Sequence, residues 1–575
     1  MKICKVKLFK FRGVEECILD IHEVNALVGE NNAGKSSLLR ALNAFFNFDE
    51  EQLAFIKGKH QYTGTSLPAV TIVFDDLPDD IEITEKAIDG RLTLEQKYSP
   101  RTKNVTYKYI QGNSQSLDKS FIDNVLKKYV DFVLIPPVRN ERDFIISEQA
   151  VMKRVIDEYL EKHFSARDTV TPKFKTATTF LQRNAFSKIA KELGKFYNLD
   201  HGFEFQLTYN DEITYKDFLQ LLQLKIVDRE HSFDIEDNGS GIQSLTIIAL
   251  YRLLASLSGK NIILGIEEPE VNLHPQAQKQ LIKSMISSLH PAREIQIFFT
   301  THSAVIVDAV KHTDIILFRK IADRKRGFKT IVTQLPHDFM ERYGLEEGGY
   351  NKFHKYRNSE FFFSRFIVLV ESTTDAEIFI KLMELKGIKL EDYSLSILNL
   401  DGVDNMKYPL FLIKELNLPF LTILDKDYFV LYLNDKLDDS RDAVGFPRYK
   451  YNSYKRGRYI DTLITNEQDC TNLLDLFRTN HSRALDLLEK YNIICMKYCL
   501  EMDLIASNTA CDHFYEKLSI ALEDREKHTL LISNKSAIKK MKNLLHVIEL
   551  TPHKNLPNSY KRIKKVMVEK IKEYC

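Results

Sequence analysis

The sequence predicts an α/β protein made of two successive halves, each organised around parallel strands. The first half holds a glycine-rich stretch, residues 29–36, between an apolar strand-like run and a segment of helical periodicity. Apolar strands that end in acidic residues recur in both halves, near 266–270 and 424–427. Over 575 residues, this alternation of short apolar runs with helical spacing favours several domains that each bury a core.

The composition excludes some classes of protein. The 81 Lys and Arg residues almost cancel the 80 Asp and Glu residues, so any basic surface that binds nucleic acid must be local. No stretch approaches 18 uninterrupted apolar residues, and the first residues lack a signal-peptide core. Seven scattered cysteines fit a reducing compartment. We therefore expect a cytoplasmic protein without a membrane partner.

Residues 29–36 read GENNAGKS and match the phosphate-binding pattern G-x-x-x-x-G-K-[ST] in full. The glycines let backbone N–H groups turn toward phosphate oxygens, and the following helix adds a favourable partial charge. Lys35 is expected on the outer phosphates of ATP, and the Ser36 hydroxyl on Mg²⁺. The predicted nucleotide-binding residues of this loop are Gly29, Asn31, Asn32, Ala33, Gly34, Lys35, Ser36 and Ser37.

The flanking segments predict the rest of this half. Residues 3–11 and 17–21 predict two strands ahead of the loop, an order similar to the start of ATPases of the ABC and chromosome-maintenance type. β-Branched runs between 50 and 130 predict an antiparallel β-lobe, and 132–135 predict a core strand that prolines end. The charged, helical-period span 140–228 predicts a helical insertion that serves dimerisation.

A Ser-Gly-x-Gln turn precedes an apolar helix further along. In ABC-type dimers such a turn is presented to the γ-phosphate bound by the partner, which makes Ser240 and Gln243 candidates for nucleotide binding. Taken alone, the turn is equally typical of an ordinary helix cap.

Two apolar strands then end in polar motifs. The first delivers Glu267 and Glu268, and buried charge at a strand end needs a cation or a reacting water. We expect Glu267 to hold Mg²⁺ through water and Glu268 to polarise the hydrolytic water. The second strand ends in TTHS, 300–303, which places His302 to sense the γ-phosphate.

The second half predicts another sheet with acidic strand ends. Glu371 follows a strand candidate at 361–370, and Asp375 lies four residues further along. A later strand delivers Asp425 and Asp427, whose side chains share one side because strand side chains alternate. Carboxylates that meet at one sheet edge suit Mg²⁺ or Mn²⁺, and two such ions can support phosphodiester cleavage. An acidic surface turn is the competing interpretation.

This half resembles the TOPRIM fold, and the whole chain is similar to the OLD (overcoming lysogenisation defect) family of ATPase–nuclease fusions. The resemblance rests on GENNAGKS 29–36, IEEPE 266–270, TTHS 300–303, VESTTD 370–375, LDKD 424–427 and LEMD 500–503. It implies an ATP-binding, metal-dependent DNA endonuclease with a role in phage defence. It also adds Glu501 and Asp503 to the metal site and implies a nearby lysine, for which several C-terminal lysines compete. VESTTD departs at Ser372 from the usual glycine-bearing version, which concerns the loop geometry.

On this interpretation the catalytic residues are Glu268, Glu371, Asp425 and Asp427. The predicted metal ligands are Ser36, Glu267, Glu371, Asp375, Asp425, Asp427, Glu501 and Asp503. ATP and Mg²⁺ or Mn²⁺ are the expected cofactors. Expected partners are DNA and further copies of the chain in a homodimer or higher homo-oligomer. The resemblance adds a helicase-like protein, as in Gabija, or a retron reverse transcriptase with its nucleic acid.

We expect five regions along the chain. They are an ABC-type N-terminal part with the β-lobe (1–139), the helical insertion (140–228), an ABC-type C-terminal part (229–345), a TOPRIM domain (346–510) and a basic helical region (511–575).

Several alternatives stay open. The chain would instead be an ATP-driven DNA clamp if its TOPRIM domain does not cut. A topoisomerase- or primase-like enzyme needs a nucleophilic-tyrosine domain or a template-binding module, and the sequence indicates neither. The basic and aromatic residues of 448–459 predict either DNA contact, with tyrosines stacking on bases, or a solvated loop. Cys495, Cys499, Cys511 and His513 are either zinc ligands or free thiols and a lone histidine.

Overall fold

The structure is a computed structural model that divides into two compact units, Met1–Val332 and Thr333–Cys575. It describes residues 1–137, 150–159, 225–228, 231–234, 240–271, 273–287, 295–324, 327–346 and 359–575, with single positions between 176 and 189 and at 348 and 353. Almost all of the helical insertion predicted for 140–228 lies outside these residues. Within them, no helix is both long and apolar enough to cross a membrane.

A 12-stranded sheet dominates the first unit. The strands of this unit are β1 (Lys2–Phe11), β2 (Val14–Asp20), β3 (Val24–Val28), β4 (Ala69–Asp75), β5 (Leu92–Ser99), β6 (Asn104–Gln111), β7 (Asn113–Leu117), β8 (Val130–Ile135), β9 (Lys225–Asp228), β10 (His231–Asp234), β11 (Asn261–Ile266), β12 (Ile295–Thr301), β13 (Ile315–Asp323) and β14 (Gly327–Gln334). The order in the sheet is β7-β6-β5-β4-β1-β2-β14-β13-β3-β12-β11-β8, and β9 and β10 pair in a second sheet.

Parallel pairing builds the part of the sheet that carries the motifs. β3 lies between β12 and β13, and β11 lies between β12 and β8, all in parallel register. β3, β11 and β12 are buried along their whole length, as strands covered on both faces must be. Because their carboxyl ends share one edge, the segments that follow them meet there.

Antiparallel strands form the predicted β-lobe. β4, β5, β6 and β7 pair in succession, and β1 joins this group to the rest of the sheet by pairing with both β2 and β4. The strands predicted for the start of the chain, for the β-lobe and before the prolines are confirmed.

Seven α-helices of the first unit have defined bounds among the described residues. They are α1 (Lys35–Phe46), α2 (Phe48–Ile56), α3 (Ile81–Thr84), α4 (Lys119–Asn124), α5 (Ser240–Ser258), α6 (Pro275–Ser287) and α7 (Ala304–Val307). α1 is buried along most of its length, and the rings of Phe46 and Phe132 stack with centroids 6.1 Å apart. The helix after the phosphate loop is therefore fixed in the core of its unit.

The second unit contains a four-stranded parallel sheet in the order β16-β15-β17-β18. Its strands are β15 (Phe366–Val370), β16 (Leu395–Asn399), β17 (Phe420–Leu424) and β18 (Ile493–Cys495). Its α-helices are α8 (Phe339–Arg342), α9 (Thr373–Glu384), α10 (Lys407–Glu415), α11 (Lys426–Phe429), α12 (Ile460–Leu463), α13 (Glu467–Thr479), α14 (His481–Glu489), α15 (Leu500–Ala506), α16 (Asn508–Lys517), α17 (Lys535–Ile538), α18 (Met541–Leu550) and α19 (Asn558–Tyr574).

Two features of this unit refine the expectations. The strand candidate at 361–370 was too long, because Ser359–Phe363 forms a 3₁₀ turn and the strand starts only at Phe366. Phe361 and Phe362 are buried in that turn. Buried phenylalanines make a turn as apolar in sequence as a buried strand. The C-terminal helices share one core with the sheet, since Tyr560 and Met567 belong to the same buried cluster as Val368.

Candidate nucleotide and metal sites

The phosphate loop connects β3 to α1 under tight backbone constraints. Gly29 has a φ of 144°, and a Cβ there would lie 2.0 Å from the carbonyl oxygen of Phe318 on β13. Gly34 has a φ of 102° and precedes α1, whose first turn carries no acidic residue. Thr330 of β14 donates a hydrogen bond to the Ala33 carbonyl at 2.9 Å. The loop is thus held in place by neighbouring strands, and the amides of the first helical turn suit an anion.

Lys35 is buried beside this loop. Its Nζ donates to the carbonyls of Gly29 and Glu30, at 2.8 and 2.9 Å, and lies 3.4 Å from His302 Nδ1. Burial lowers the pKa of Lys35 to about 8, although Glu268 and other acids oppose that shift. A phosphate would replace neutral carbonyl acceptors with charged oxygens, which bind an ammonium more strongly.

The ends of β11 and β12 bring the predicted acid and histidine together. His302 Nε2 lies 3.8 Å from Glu268 Oε1. The Glu268 backbone has a φ of 47°, and its amide donates to the Thr300 hydroxyl at 3.0 Å. Burial and the neighbouring Lys35 lower the pKa of His302, so the imidazole is neutral near pH 7. Lys35, Glu268 and His302 therefore form one cluster.

Glu270, for which no role was predicted, belongs to the same cluster. Its Oε1 accepts hydrogen bonds from the Thr301 hydroxyl (2.8 Å) and the His302 amide (2.7 Å), while its buried Oε2 has no partner among the described residues. Burial raises its pKa. The sequence does contain a clue to Glu270, which is the third acid of IEEPE. IEEPE and TTHS end neighbouring parallel strands, so the two motifs meet at one edge of the sheet.

Glu267, predicted as a metal ligand, makes an ion pair. Its Oε2 lies 3.2 Å from Arg40, and the same guanidinium lies 3.1 Å from the buried Glu51. His60 adds a 2.8 Å contact to Glu51. Burial alone would raise the pKa of Glu51, but hydrogen bonds from His60, Asn43 and Arg40 lower it to about 2. Glu267 is therefore the end of a charge network that reaches from β11 to α2.

The Ser-Gly-x-Gln turn lies at the start of an observed helix. α5 begins at Ser240, and Gln243 in its first turn is buried. The Ser240 side chain lies outside the described residues, so its role across a dimer stays a prediction. Ser36 and Ser37 occupy the first turn of α1, where Ser37 is buried.

In the second unit, the ends of β15 and β17 bring Glu371 close to Asp427. Burial and the carboxylates of Asp427 and Asp375 raise the pKa of Glu371 to about 7, against the opposing charges of Arg458 and Lys455. Burial raises the pKa of Asp425 well above its usual value, and Asp427, Asp375, Glu501 and Glu371 contribute further. We refer to Glu371, Asp375, Asp425, Asp427 and Glu501 as the acidic set.

Asp375 joins the acidic set from the first turn of α9. Its Oδ2 accepts hydrogen bonds from the backbone amide and the hydroxyl of Ser372, at 2.8 and 2.9 Å. This is a capping box, because the Ser372 hydroxyl also accepts the Asp375 amide. Ser372, where the sequence departs from the usual glycine, therefore caps the helix that carries Asp375.

The two acids of the LEMD segment face different surroundings. Glu501 pairs with Lys539 at 3.2 Å and interacts with Asp375 and Asp425. Asp503 is buried and accepts hydrogen bonds from the amides of Lys497 and Tyr498 and from the Ser559 hydroxyl. The structure thus brings Glu501 into the acidic set and gives Asp503 a separate set of partners. Lys539 is the C-terminal lysine adjacent to this site.

Burial and neighbouring carboxylates raise the pKa values of Glu371, Asp375 and Asp425, and such a donor set is one that a hard divalent cation neutralises. As placed, no three histidine, cysteine or acidic side chains of the described chain are grouped closely enough to hold a metal ion. Loading the acidic set therefore requires these side chains to turn toward a common centre. The donor chemistry fits a divalent metal.

The basic segment 448–459 contributes cations to the site. Lys455 donates to the Asp427 carbonyl at 3.2 Å, and Arg458 pairs with Asp404. One of its tyrosines is already packed: the Tyr449 ring is buried and stacks on Tyr432, with ring centroids 5.3 Å apart. Stacking of Tyr449 on a nucleic-acid base is therefore wrong for this arrangement.

The cysteine cluster consists of thiols with protein partners. Cys495 donates to the Met496 carbonyl and Cys511 to the Ile505 carbonyl, at 3.2 and 3.1 Å. Burial raises the pKa of Cys511 to about 11. These thiols are neutral near pH 7.

Comparison with known proteins follows the same division of the chain. The family described as AAA domain, putative AbiEii toxin, Type IV TA system matches residues 24–308, and the overcoming lysogenization defect protein-like TOPRIM domain matches residues 362–427. The OLD nuclease of Thermus scotoductus is 21% identical over 448 residues, which are 74% of this chain and 81% of that protein. The chain is thus similar to OLD-family ATPase–nuclease proteins in both of its halves.

Two further relatives are also named as nucleases. The Old nuclease of Escherichia phage P2 is 22% identical over 70% of this chain and 73% of its own length. Endonuclease GajA of Bacillus cereus is 25% identical over 55% of this chain, which spans about half (49%) of that relative. A solved SMC head bound to the C-winged helix domain of ScpA covers 58% of this chain at 14% identity, with a TM-score of 0.38 and 99% of that structure aligned.

The chain combines an ATPase domain with an OLD-like TOPRIM nuclease domain. Domains of these two kinds use a nucleotide and a divalent metal. The Lys35, Glu268 and His302 cluster lies in the first domain, and Glu371, Asp425 and Asp427 lie in or at the end of the second.

Proposed function

We propose that this chain is an ATP-regulated, Mg²⁺-dependent DNA endonuclease that acts in defence against phages. One observation carries the proposal: Glu371, Asp425 and Asp427 follow strands of one parallel sheet at its carboxyl edge, where burial and neighbouring carboxylates raise the pKa values of Glu371 and Asp425. The names of the relatives as nucleases, and of one as GajA, support the same activity. DNA is the substrate, and the cell interior is the site of action.

In the nucleotide site, backbone amides of residues 29–34 and the start of α1 receive the phosphates. Lys35 contacts the outer phosphates, and Ser36 together with Glu267 holds the accompanying Mg²⁺. Glu268 orients the attacking water, and His302 senses the γ-phosphate. Glu267 has to leave Arg40 to do this, since the two form an ion pair in the structure. Glu270 orients His302 through its backbone amide.

In the nuclease site, Glu371, Asp375, Asp425, Asp427 and Glu501 hold the divalent metal. Mg²⁺ bound there supplies activation of water and stabilisation of the leaving oxygen. Lys539 donates to Glu501 and adds a positive charge for the phosphate undergoing cleavage. Asp503 anchors the segment around Lys497 and supports the site from behind, so we assign it to structure rather than to metal.

ATP controls cleavage through a dimer in this proposal. Ser240 and Gln243 at the start of α5 contact the nucleotide of a second copy, and the helical insertion at 140–228 adds contacts between copies. A helicase-like partner, or a retron reverse transcriptase with its nucleic acid, delivers the phage signal. In this proposal the five regions expected from the sequence are the domains of the protein.

Plasmid cleavage tests the proposal directly. Purified protein is incubated with supercoiled plasmid and Mg²⁺ or Mn²⁺, with and without ATP, beside Asp425→Asn and the control Asp439→Asn. Asp439 is an exposed acid of the same unit outside the acidic set. Wild type and Asp439→Asn are expected to cut, and Asp425→Asn to lose at least a hundredfold in rate. Equal cutting by all three proteins would remove the metal assignment.

The clamp alternative predicts a different result in the same assay. No protein would cut, and ATP would instead slow the release of DNA from wild type and from Asp425→Asn alike. Loss of that retention in Lys35→Ala would then assign the chain to DNA binding without cleavage.

A further inference from the structure

A cavity of about 810 Å³ lies beside helix α15 in the second unit. Asp503 and Ala506 of α15 line it. Glu501, about 200° around the helix from Asp503, belongs instead to the acidic set. The cavity and the proposed nuclease site therefore lie on opposite faces of one short helix.

The walls of the cavity are strongly basic. Lys497, Lys554, Lys561 and Lys565 line it, and within the described residues none of these four makes an ion pair. Arg562 also lines it but is paired with two acids outside the lining, Asp486 and Glu489. The lysines thus leave a local excess of positive charge in a chain whose net charge is only +1.

The one carboxylate that the described residues contribute to the lining, Asp503, offsets the charge of only one of the four lysines. Asp503 already accepts two backbone amides and the Ser559 hydroxyl, at 2.9, 2.8 and 2.6 Å. Its role is to hold the wall together, because it ties α19 to the segment that follows β18.

Three helices begin at the cavity. α14 starts at His481, α16 follows its N-cap Ser507, and α19 starts at Asn558; they contain 9, 10 and 17 residues. Pro557 gives α19 no side-chain cap, and its first turn carries no acidic residue. Uncapped amides at a helix start and the helix dipole both favour an anion there.

His481 adds a hydrogen-bond donor without a partner. Its Nδ1 lies 2.9 Å from the Nζ of Lys426, and an ammonium only donates, so Nδ1 accepts and the proton is on Nε2. Burial and the positive charge of Lys426 lower the pKa of His481 to about 3, which keeps the ring neutral. Nε2 is buried and lacks a partner among the described residues. An N–H in that position needs an acceptor.

We propose that this cavity binds a phosphate group of the nucleic-acid strand, at a position separate from the phosphate that is cut. A helix is about 10 Å across, so the cavity lies on the order of one helix diameter from the acidic set. A DNA strand at the acidic set can therefore place a neighbouring phosphate at the cavity. This placement rests on the proposed DNA substrate, and the binding itself does not depend on cleavage. An isolated phosphate ion offers the same oxygens to the four lysines.

DNA binding in EDTA tests the site with cleavage switched off. A fluorescein-labelled 20-base-pair duplex is titrated at several salt concentrations with wild type, Lys561→Ala/Lys565→Ala and Lys570→Ala/Lys572→Ala. The control pair removes the same charge from the same helix outside the cavity. The Lys561/Lys565 pair is expected to weaken binding about tenfold and to reduce the slope of log K against log salt by about 1.8. The control is expected to match wild type.

A second pair guards against misfolding. If Lys561→Ala/Lys565→Ala melts below wild type, Lys497→Ala/Lys554→Ala removes two lining charges from other segments and is measured in the same way. Wild-type affinity and salt slope in a folded lining variant overturn the assignment to DNA. Weaker DNA binding in a protein that cuts no plasmid supports the cavity and rejects only the nuclease proposal.

Inorganic phosphate separates the two sources of the same chemistry. Phosphate is titrated into Lys35→Ala, in which the phosphate loop is weakened, with and without the lining substitutions. Binding is measured as a rise in melting temperature. If phosphate stabilises the protein only when the lining lysines are present, and the lining substitutions leave DNA affinity unchanged, the cavity binds small free phosphates. Absence of any effect in both arms, as for a site that takes an acidic protein segment, refutes a phosphate site.

Discussion

Arg40 lies 3.2 Å from Glu267 and 3.1 Å from Glu51, so one guanidinium joins the proposed metal ligand of the ATPase site to a buried acid on α2. The pair competes with any cation that Glu267 is to hold. Nucleotide binding and the stability of this network are therefore opposed.

Arg40→Ala tests that competition. Without nucleotide, the variant is expected to lose about 1–3 kcal/mol of stability, because Glu51 loses a charged hydrogen bond. Added Mg²⁺ and ATP are expected to raise its melting temperature by more than they raise that of wild type. Arg154→Ala breaks an ion pair with Asp131 and serves as the control. If Mg²⁺ and ATP raise the melting temperature of all three proteins equally, Arg40 does not compete with metal binding.

Gly29→Ala should disable the phosphate loop. The added Cβ would lie 2.0 Å from a backbone carbonyl at a φ that L residues rarely adopt, which costs more than about 3 kcal/mol. Gly64→Ala is the control, because its φ is ordinary and nothing lies within 4 Å of the added atom. Urea unfolding and the binding of a fluorescent ATP analogue report both effects. Normal nucleotide binding by Gly29→Ala would contradict the loop geometry.

The raised pKa of Glu371 predicts a pH dependence of stability. Without divalent metal, the folded state keeps this proton up to about pH 7, while the unfolded state releases it near pH 4.5. Stability therefore falls as pH rises through this window, by about 3 kcal/mol for this group. Glu371→Gln lacks this component, and Glu384→Gln, an exposed acid on α9, retains it.

Urea unfolding in EDTA at pH 5 and pH 8 measures the difference. Mg²⁺ added at pH 8 is expected to restore stability to wild type and not to Glu371→Gln. If wild type and Glu371→Gln depend on pH alike, the burial of this carboxylate is wrong.

Lys539→Ala should impair cleavage more than binding. The variant removes the cation beside Glu501, and we expect a 10–100-fold loss in plasmid cleavage at saturating metal. Lys535→Ala removes a similar pair with Asp438, 2.9 Å away from its Nζ, outside the acidic set and is expected to cut normally. Arginine at 539 should rescue part of the rate if charge is what matters. Full activity in Lys539→Ala would leave the implied lysine unassigned.

The sequence was most informative where a motif sits at a strand end. The phosphate loop, Glu268, His302, Glu371 and the Asp425–Asp427 pair all follow short apolar strands, and parallel pairing brings such ends together. Strand bounds failed at 361–370, because two buried phenylalanines in a turn have the hydropathy of a strand.

Partners from distant parts of the chain could not be predicted. Lys539 reaches Glu501 across 38 residues, and Arg40 reaches Glu267 across 227. Periodicity in one segment contains no information about such pairs. Asp503 shows the same limit in reverse, since its two-residue spacing from Glu501 gave no sign that its partners are amides and Ser559.

Helix α15 contributes Glu501 to the acidic set and Asp503 to the basic cavity within seven residues. A ligand on either face that shifts this short helix changes the affinity of the other face, and thermodynamic reciprocity requires the two factors to be equal. Metal binding and DNA binding in this enzyme would then report on one equilibrium. A metal titration would therefore also measure DNA binding.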